Sequence, residues 1–195
     1  YQCFESIRGF SEEGFEDEQS RLVALLEAAH AVAPERARLN EGQSIVVSQL
    51  AANPSGPIAK MLEDPKLLQR YGGEGVLAMG SLGPFWLEAG WRLRRAVQGA
   101  TRREREKGED LESRANGLWR LVLMKEGREA ELWYLTALET PSALGLDVLL
   151  PENRPCMILT GAEQAAPEWL ASRDIASMAW SGSEGESLTQ ALASL

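Results

Sequence analysis

The sequence predicts an α/β domain: a mostly parallel sheet covered by helices on both faces, with a β-hairpin and an N-terminal helical segment. Three observations carry that expectation. The last third alternates short apolar runs with helical runs, the pattern of parallel strands joined by crossover helices. Residues 118–125 and 130–137 are two β-rich runs separated by Lys125-Glu126-Gly127-Arg128-Glu129, which reads as a hairpin. Leu22, Leu25, Leu26 and Ala29 recur at helical spacing ahead of the first β-branched run.

Residues 1–42 form the helical segment in this reading. Ser11 and the acids Glu12, Glu13, Glu16, Asp17 and Glu18 complement the free N–H groups at a helix start, and Pro34 stops the helix. The α/β domain then occupies 43–195. Ser44-Ile45-Val46-Val47 is β-branched and predicts a strand ending at the loop Asn53 to Pro57. A helix follows from Ile58 to about Tyr71, re-capped at Asp64-Pro65, and Val76 to Met79 predicts a second strand. Beyond Pro84 a long helix is expected to carry Phe85, Leu87, Trp91 and Leu93, then to turn almost wholly polar, so residues 99–116 should be mobile. Trp119, Leu121 and Leu123 alternate with Arg120, Val122 and Met124; both faces of the hairpin are largely apolar, which places it inside a sheet. The rest reads as a helix from Pro141 to Leu149, a strand at Cys156–Leu159, a helix over 162–171, a strand at Ile175–Trp180 and a final helix from Ser183 with Leu188, Leu192 and Leu195 on one face.

The composition is 44% hydrophobic and 25% charged, which suits a folded chain rather than a disordered one. A formal charge of −9 disfavours nucleic acid as a partner, because phosphate neutralisation needs a basic face. The local exception is the stripe Arg92, Arg94, Arg95, Arg102, Arg103, Arg105, Lys107, diluted by Glu104 and Glu106. No apolar run approaches the ~20 residues of a membrane span, and no targeting segment is visible, so a cytoplasmic setting is expected. The chain begins at Tyr1 rather than Met, which reads as a domain of a longer protein.

Chemistry-bearing motifs are sparse. His30, the lone histidine, lies late in the first helix, and neither Cys3 nor Cys156 has a histidine or metal-ligand spacing beside it. Cys156 sits in an apolar run and reads as an inert thiol. The phosphate-loop pattern is absent, and the glycines of residues 72–83 lack the acid that completes a dinucleotide fingerprint. No metal, cofactor or catalytic group is therefore expected. Two strand-to-helix turns, at Thr160-Gly161 and Ser181-Gly182, should share the carboxyl edge of the sheet, where small hydroxyl and glycine residues beside helix starts can hold an anion. Helix capping is the plainer account of both. A second candidate surface is Trp86 and Trp91 with Arg92, Arg94 and Arg95. The two indoles lie five positions apart, about 140° round a helix, so one is expected to be exposed beside the arginines, the usual make-up of an interface.

From 130 onwards the order is strand, proline-bearing loop, Gly145-Leu146-Asp147-Val148-Leu149 helix, a strand ending in Leu159-Thr160-Gly161, helix, strand, helix. This third of the chain resembles the second half of response-regulator receiver domains. The departures are informative. Where the family's phosphoacceptor aspartate would stand the chain has Thr136 and Ala137, Trp180-Ser181-Gly182-Ser183 lacks the lysine, and no acidic pair follows Ser44 to Val47. Thr160 alone matches a functional position of the family. The resemblance implies a pseudo-receiver that does not take phosphate by the usual route and acts by binding.

Fold pattern and missing chemistry together predict a non-enzymatic regulatory or scaffolding domain that binds another protein or another domain of its own chain, homo-oligomers included. The rival expectation is a small-ligand or phosphate sensor, or an enzyme, with its site at Thr160, Gly161, Ser181 and Gly182.

Overall fold

The computed structural model describes residues 36–99, 117–135, 146–161, 170 and 173–195. The expected first helix with His30, Cys3, the polar stretch beyond Gly99 with Arg102, Arg103, Arg105 and Lys107, Thr136 and Ala137, the Pro141 helix start, and Trp169 lie outside them. The chain divides into two compact units, Tyr1–Gly83 and Pro84–Leu195.

The described part of the first unit is helical, and both strands expected in it are absent. Helix α1 spans Arg36–Ala52, straight through Ser44-Ile45-Val46-Val47. From residue 41 onwards Gly42, Gln43, Val46, Val47, Leu50 and Ala51 are buried, a three- and four-residue rhythm that outweighs the β-branched propensity of three adjacent side chains. Asn53 to Gly56 ends α1, and α2 (Pro57–Met61) and α3 (Pro65–Arg70) follow. Both begin on proline at the first turn, and Asp64 caps α3 by accepting from the Lys66 N–H at 2.9 Å, the interruption expected there. The second supposed strand is helix α4 (Glu74–Ser81), which buries Val76, Met79 and Gly80 on one side.

Helices α1 and α4 meet through glycine. A Cβ placed on Gly80 would lie 2.5 Å from the Leu50 Cβ, and one on Gly83 would lie 2.2 Å from the Ala51 Cβ. Neither neighbour atom is the free end of a flexible side chain, so the backbones can approach only while both positions stay bare.

In the second unit, α5 (Gly83–Glu88) is cut short where a long helix was expected. Gly90 takes φ +90°, its N–H bonds to the Leu87 carbonyl, and the Trp91 N–H bonds to that of Trp86. That paired closure needs a left-handed residue and so favours glycine. Arg92 then starts a strand.

The sheet contains β1 (Arg92–Gln98), β2 (Leu118–Lys125), β3 (Arg128–Leu135), β4 (Cys156–Gly161) and β5 (Ala176–Trp180), side by side in chain order. The β1–β2 and β2–β3 pairings are antiparallel, whereas β3–β4 and β4–β5 are parallel. The sheet is thus mixed rather than mostly parallel, because the hairpin is built into it and β1 continues it. The hairpin turn is tighter than expected: only Glu126 and Gly127 lie between the strands, at φ 51° and 77°, as a two-residue primed turn requires.

Alternation and register assign the two faces. One carries Arg95 and Val97 of β1, Leu118, Arg120 and Val122 of β2, Glu129, Glu131, Trp133 and Leu135 of β3, and Cys156, Ile158 and Thr160 of β4. Its apolar half packs with Leu146 and Leu149 of a short 3-10 turn (Leu146–Leu149) and with Leu170. The other face buries Trp119, Leu121, Leu123, Leu132, Met157 and Leu159. Helix α6 (Gly185–Ala193) buries Leu188 and Leu192 as expected, and the Leu192 carbonyl accepts the indole N–H of Trp91 at 2.8 Å.

Replacing Gly80 with alanine tests the helix crossing by its sign. In an open helix the change would stabilise by about 1 kcal/mol. Here contact with Leu50 should make Gly80→Ala, and likewise Gly83→Ala, destabilising by about 1–3 kcal/mol in urea unfolding.

Candidate functional site

Parallel pairing brings the carboxyl-edge candidates together. Thr160 and Gly161 are the last residues of β4 rather than a turn; Thr160 lies opposite Ala179 and Gly161 opposite Trp180, so they end at the same edge as the Ser181-Gly182 turn that follows β5. Thr160 is buried at 2% exposure, while Ser181, Gly182 and Ser183 are exposed. Their polar groups converge on a side chain the sequence reading passed over, Glu184. Its Oε2 accepts the Ser181 N–H at 2.8 Å, and its Oε1 accepts the hydroxyls of Ser181 at 2.5 Å and Ser183 at 3.2 Å. The Ser181 hydroxyl and then the Ser181 N–H hold the Glu184 carboxyl down at about 2, against an ordinary 4.5. The donors an anion would need are thus turned to a carboxylate fixed at the head of α6. The carboxylate closes the turn ahead of α6 without capping the helix itself, and it sets a negative charge where phosphate was to sit.

The tryptophan surface is different from the one expected. Trp86 and Trp91 are both buried, at 0% and 1% exposure. The physical reason is the stop at Gly90: Trp91 is not on the helix of Trp86 but at the mouth of β1, where its ring lies 5.7 Å beneath Lys125 Nζ. Lys125 also donates to the Ala89 carbonyl at 2.8 Å, closing the end of α5. The Trp86 indole N–H has no hydrogen-bond partner. Arg92, Arg94 and Arg95 are exposed on β1, which lies at one end of the sheet among the described residues, with a bulge between Leu93 and Arg95.

The main polar feature of the sheet is a buried ionic cluster on the first face. Glu131 is fully buried. Its Oε1 accepts from Arg120 Nε and from the Trp133 indole N–H, both at 3.1 Å. Its Oε2 lies 2.9 Å from Arg154 Nε without an aligned hydrogen bond, so this contact is ionic only. Arg120 is itself buried, donates to the Leu149 carbonyl at 3.4 Å and stacks 5.3 Å from the centre of the Trp133 ring. Arg154 reaches Glu129 at 2.5 Å, and Glu129 also pairs with Arg94.

Three arginines thus pair with two glutamates, and Arg95 lies within reach of their field. Burial first, then Arg120 and Arg154, lower the pKa of Arg95. Cys156, half-buried, lies beside the cluster, where desolvation and then Glu131 push its thiol well above the ordinary range. The sequence carried a signal for the cluster: Arg120 and Glu131 are charges at core positions of a hairpin apolar on both faces. An open groove of about 590 Å³ runs along Arg128, Glu129 and Glu152 to Arg154. Among the described residues no group of acids, histidines or cysteines is placed to hold a metal ion, and no helix is long and apolar enough to cross a membrane.

No family model matches the chain, and no curated protein or solved structure does either.

Two measurements check these assignments. Glu131→Ala strands the Arg120 charge and the Trp133 N–H together, so it should cost about 3–5 kcal/mol in chemical denaturation. Arg94→Ala removes a pair that is 54% exposed on the arginine side and should cost less than about 1 kcal/mol. For Glu184 the folded pKa is depressed. Its support of the Ser181–Ser183 turn is therefore present above the ordinary 4.5 and lost as pH falls through about 2. The Ser181 amide resonance should follow that titration, and Glu184→Gln should abolish it.

Proposed function

We propose that this chain is a non-enzymatic interaction domain, regulatory or scaffolding, that holds a partner protein along the β5 edge of its sheet. A single observation supports this reading best: the two edges of the sheet differ in how they are guarded. An edge strand offers unpaired N–H and C=O groups to any passing strand, and soluble proteins blunt such edges with charge, proline or a bulge. β1 carries Arg92, Arg94 and Arg95 and a bulge. β5, Ala176-Ser177-Met178-Ala179-Trp180, carries no charge, no proline and no register shift. Ala176, Ser177 and Ala179 are exposed along it, and among the described residues only β4 pairs with it.

An unguarded edge suits strand addition, in which the partner's backbone supplies the hydrogen bonds and its alternate side chains supply specificity. The small side chains of β5 let a partner backbone approach closely, while half-buried Met178 and Trp180 offer apolar contact on one face. A degenerate receiver-like module acting by binding is one form that this domain could take. The sensor reading has less support, since Glu184 already occupies the donors of the carboxyl edge.

Selection of a random-peptide display library on the chain tests the proposal. Uncharged, extended peptides should be enriched, their binding lost in the double variant Ser177→Lys, Ala179→Lys and kept in Arg92→Ala and Arg94→Ala. An absence of enrichment, or binding indifferent to the two lysines, would overturn it.

A further inference from the structure

The edge strand has a property that narrows its partner: it is complementary to itself. We infer that β5 pairs with β5 of a second copy of this chain, antiparallel about a two-fold axis through Met178, to give one continuous sheet of ten strands. The inference rests on the reading of β5 as the docking edge and names its occupant.

Register comes first. A two-fold axis perpendicular to the sheet at residue 178 pairs the whole strand, Ala176 with Trp180, Ser177 with Ala179 and Met178 with itself. In each pair both residues come from the same face, as a continuous sheet requires; a shift of one residue would set the inward row of one copy against the outward row of the other.

Shape follows from the same register. The largest side chain of the strand, Trp180, falls opposite the small and exposed Ala176 of the mate, twice across the axis, and the other face brings together only Ser177 and Ala179. Trp180 is steadied from behind, its ring 5.3 Å from that of Phe85 in an edge-on contact.

Charge decides the orientation, and the neutral strand permits a self-contact that the rest of the chain would resist. Two copies carrying −9 each repel, so a self-contact needs an uncharged stretch, and β5 is one. Glu184 and Glu186 stand just past its carboxyl end, whereas Arg173 and Asp174 precede it. Parallel pairing would set the acidic ends side by side. Antiparallel pairing separates them and lays each beside the balanced end of the mate.

A ladder of five residues buries less than the roughly 1,200 Å² of a standard interface, so the dimer should be weak, in the micromolar range, and sensitive to concentration.

Sedimentation velocity on the full chain is the test. The wild type should move from 21.4 kDa towards twice that mass as concentration rises into the high micromolar range. The variant Ser177→Lys, Ala179→Lys sets lysine opposite lysine at two places and should weaken the dimer about tenfold or more. The variant Ser177→Glu, Ala179→Glu should do the same. Mixing the two variants sets lysine opposite glutamate at both places and should restore a dimer of one copy of each. Circular dichroism melts on each variant confirm that it is folded, and the restored heterodimer is informative even if either variant is less stable. A wild type that stays at 21.4 kDa throughout overturns the self-pairing. So does a lysine variant that dimerises like wild type, since the contact then lies elsewhere. If the wild type is monomeric yet still binds display peptides through Ser177 and Ala179, only the occupant was wrong; if it does neither, the edge reading falls with it.

Discussion

A single buried carboxylate holds the second unit together. Glu131 lies on β3, the strand at which the sheet changes from antiparallel to parallel pairing. From there it reaches Arg120 on the antiparallel side and Arg154, in the segment leading to β4, on the parallel side. Arg120 extends the connection to the Leu149 carbonyl, tying in the turn that covers the apolar half of the same face. Desolvating a carboxylate costs several kcal/mol, and replacing such a group with well-packed apolar side chains is often neutral or better. What an apolar set would lack is direction. Two donors, Arg120 and Trp133, and one ionic partner, Arg154, fix the register of their segments against one another, and Trp133 can satisfy its indole only if that register holds.

How much of this was legible depended on the range of the forces involved. The hairpin, β4, β5 and α6 were readable because each is specified within its own span: alternation in Trp119–Leu123, an apolar run at Cys156–Leu159, the Leu188–Leu192 spacing. The misread elements set propensity against periodicity. Ile45, Val46 and Val47 favour a strand by local preference, but the buried rhythm from Gly42 to Ala51 spans three turns, and packing against α4 follows the rhythm. The tryptophan surface failed for a different reason. Placing Trp86 and Trp91 on one helix overlooked Gly90, whose left-handed backbone ends that helix between them.

The candidate sites were less legible still. That Thr160-Gly161 and Ser181-Gly182 share an edge follows from parallel pairing, which the pattern implied. That Glu184 takes up the hydroxyls there depends on side-chain directions in a tight turn, which spacing does not encode. Strand order is also non-local. Nothing within Ala176–Trp180 says that it lies at an edge, and an uncharged, small-residue strand would be unremarkable in the middle of a sheet.

The buried cluster also bears on why the two edges differ. Three arginines paired with two glutamates, with Arg95 nearby, leave a cationic surplus, and that surplus cannot all be desolvated. Arg95, exposed at its surface, has its pKa lowered first by partial desolvation and then by Arg120 and Arg154. Arg94, extruded by the bulge, keeps its guanidinium 54% exposed while still meeting Glu129. The device that fixes the hairpin therefore pushes charge and irregularity outwards onto β1, and guards that edge as a consequence. On the β5 side of β4 no such cluster exists among the described residues, so nothing drives a charge onto the strand. The contrast between a guarded and an open edge follows from where the buried charge sits.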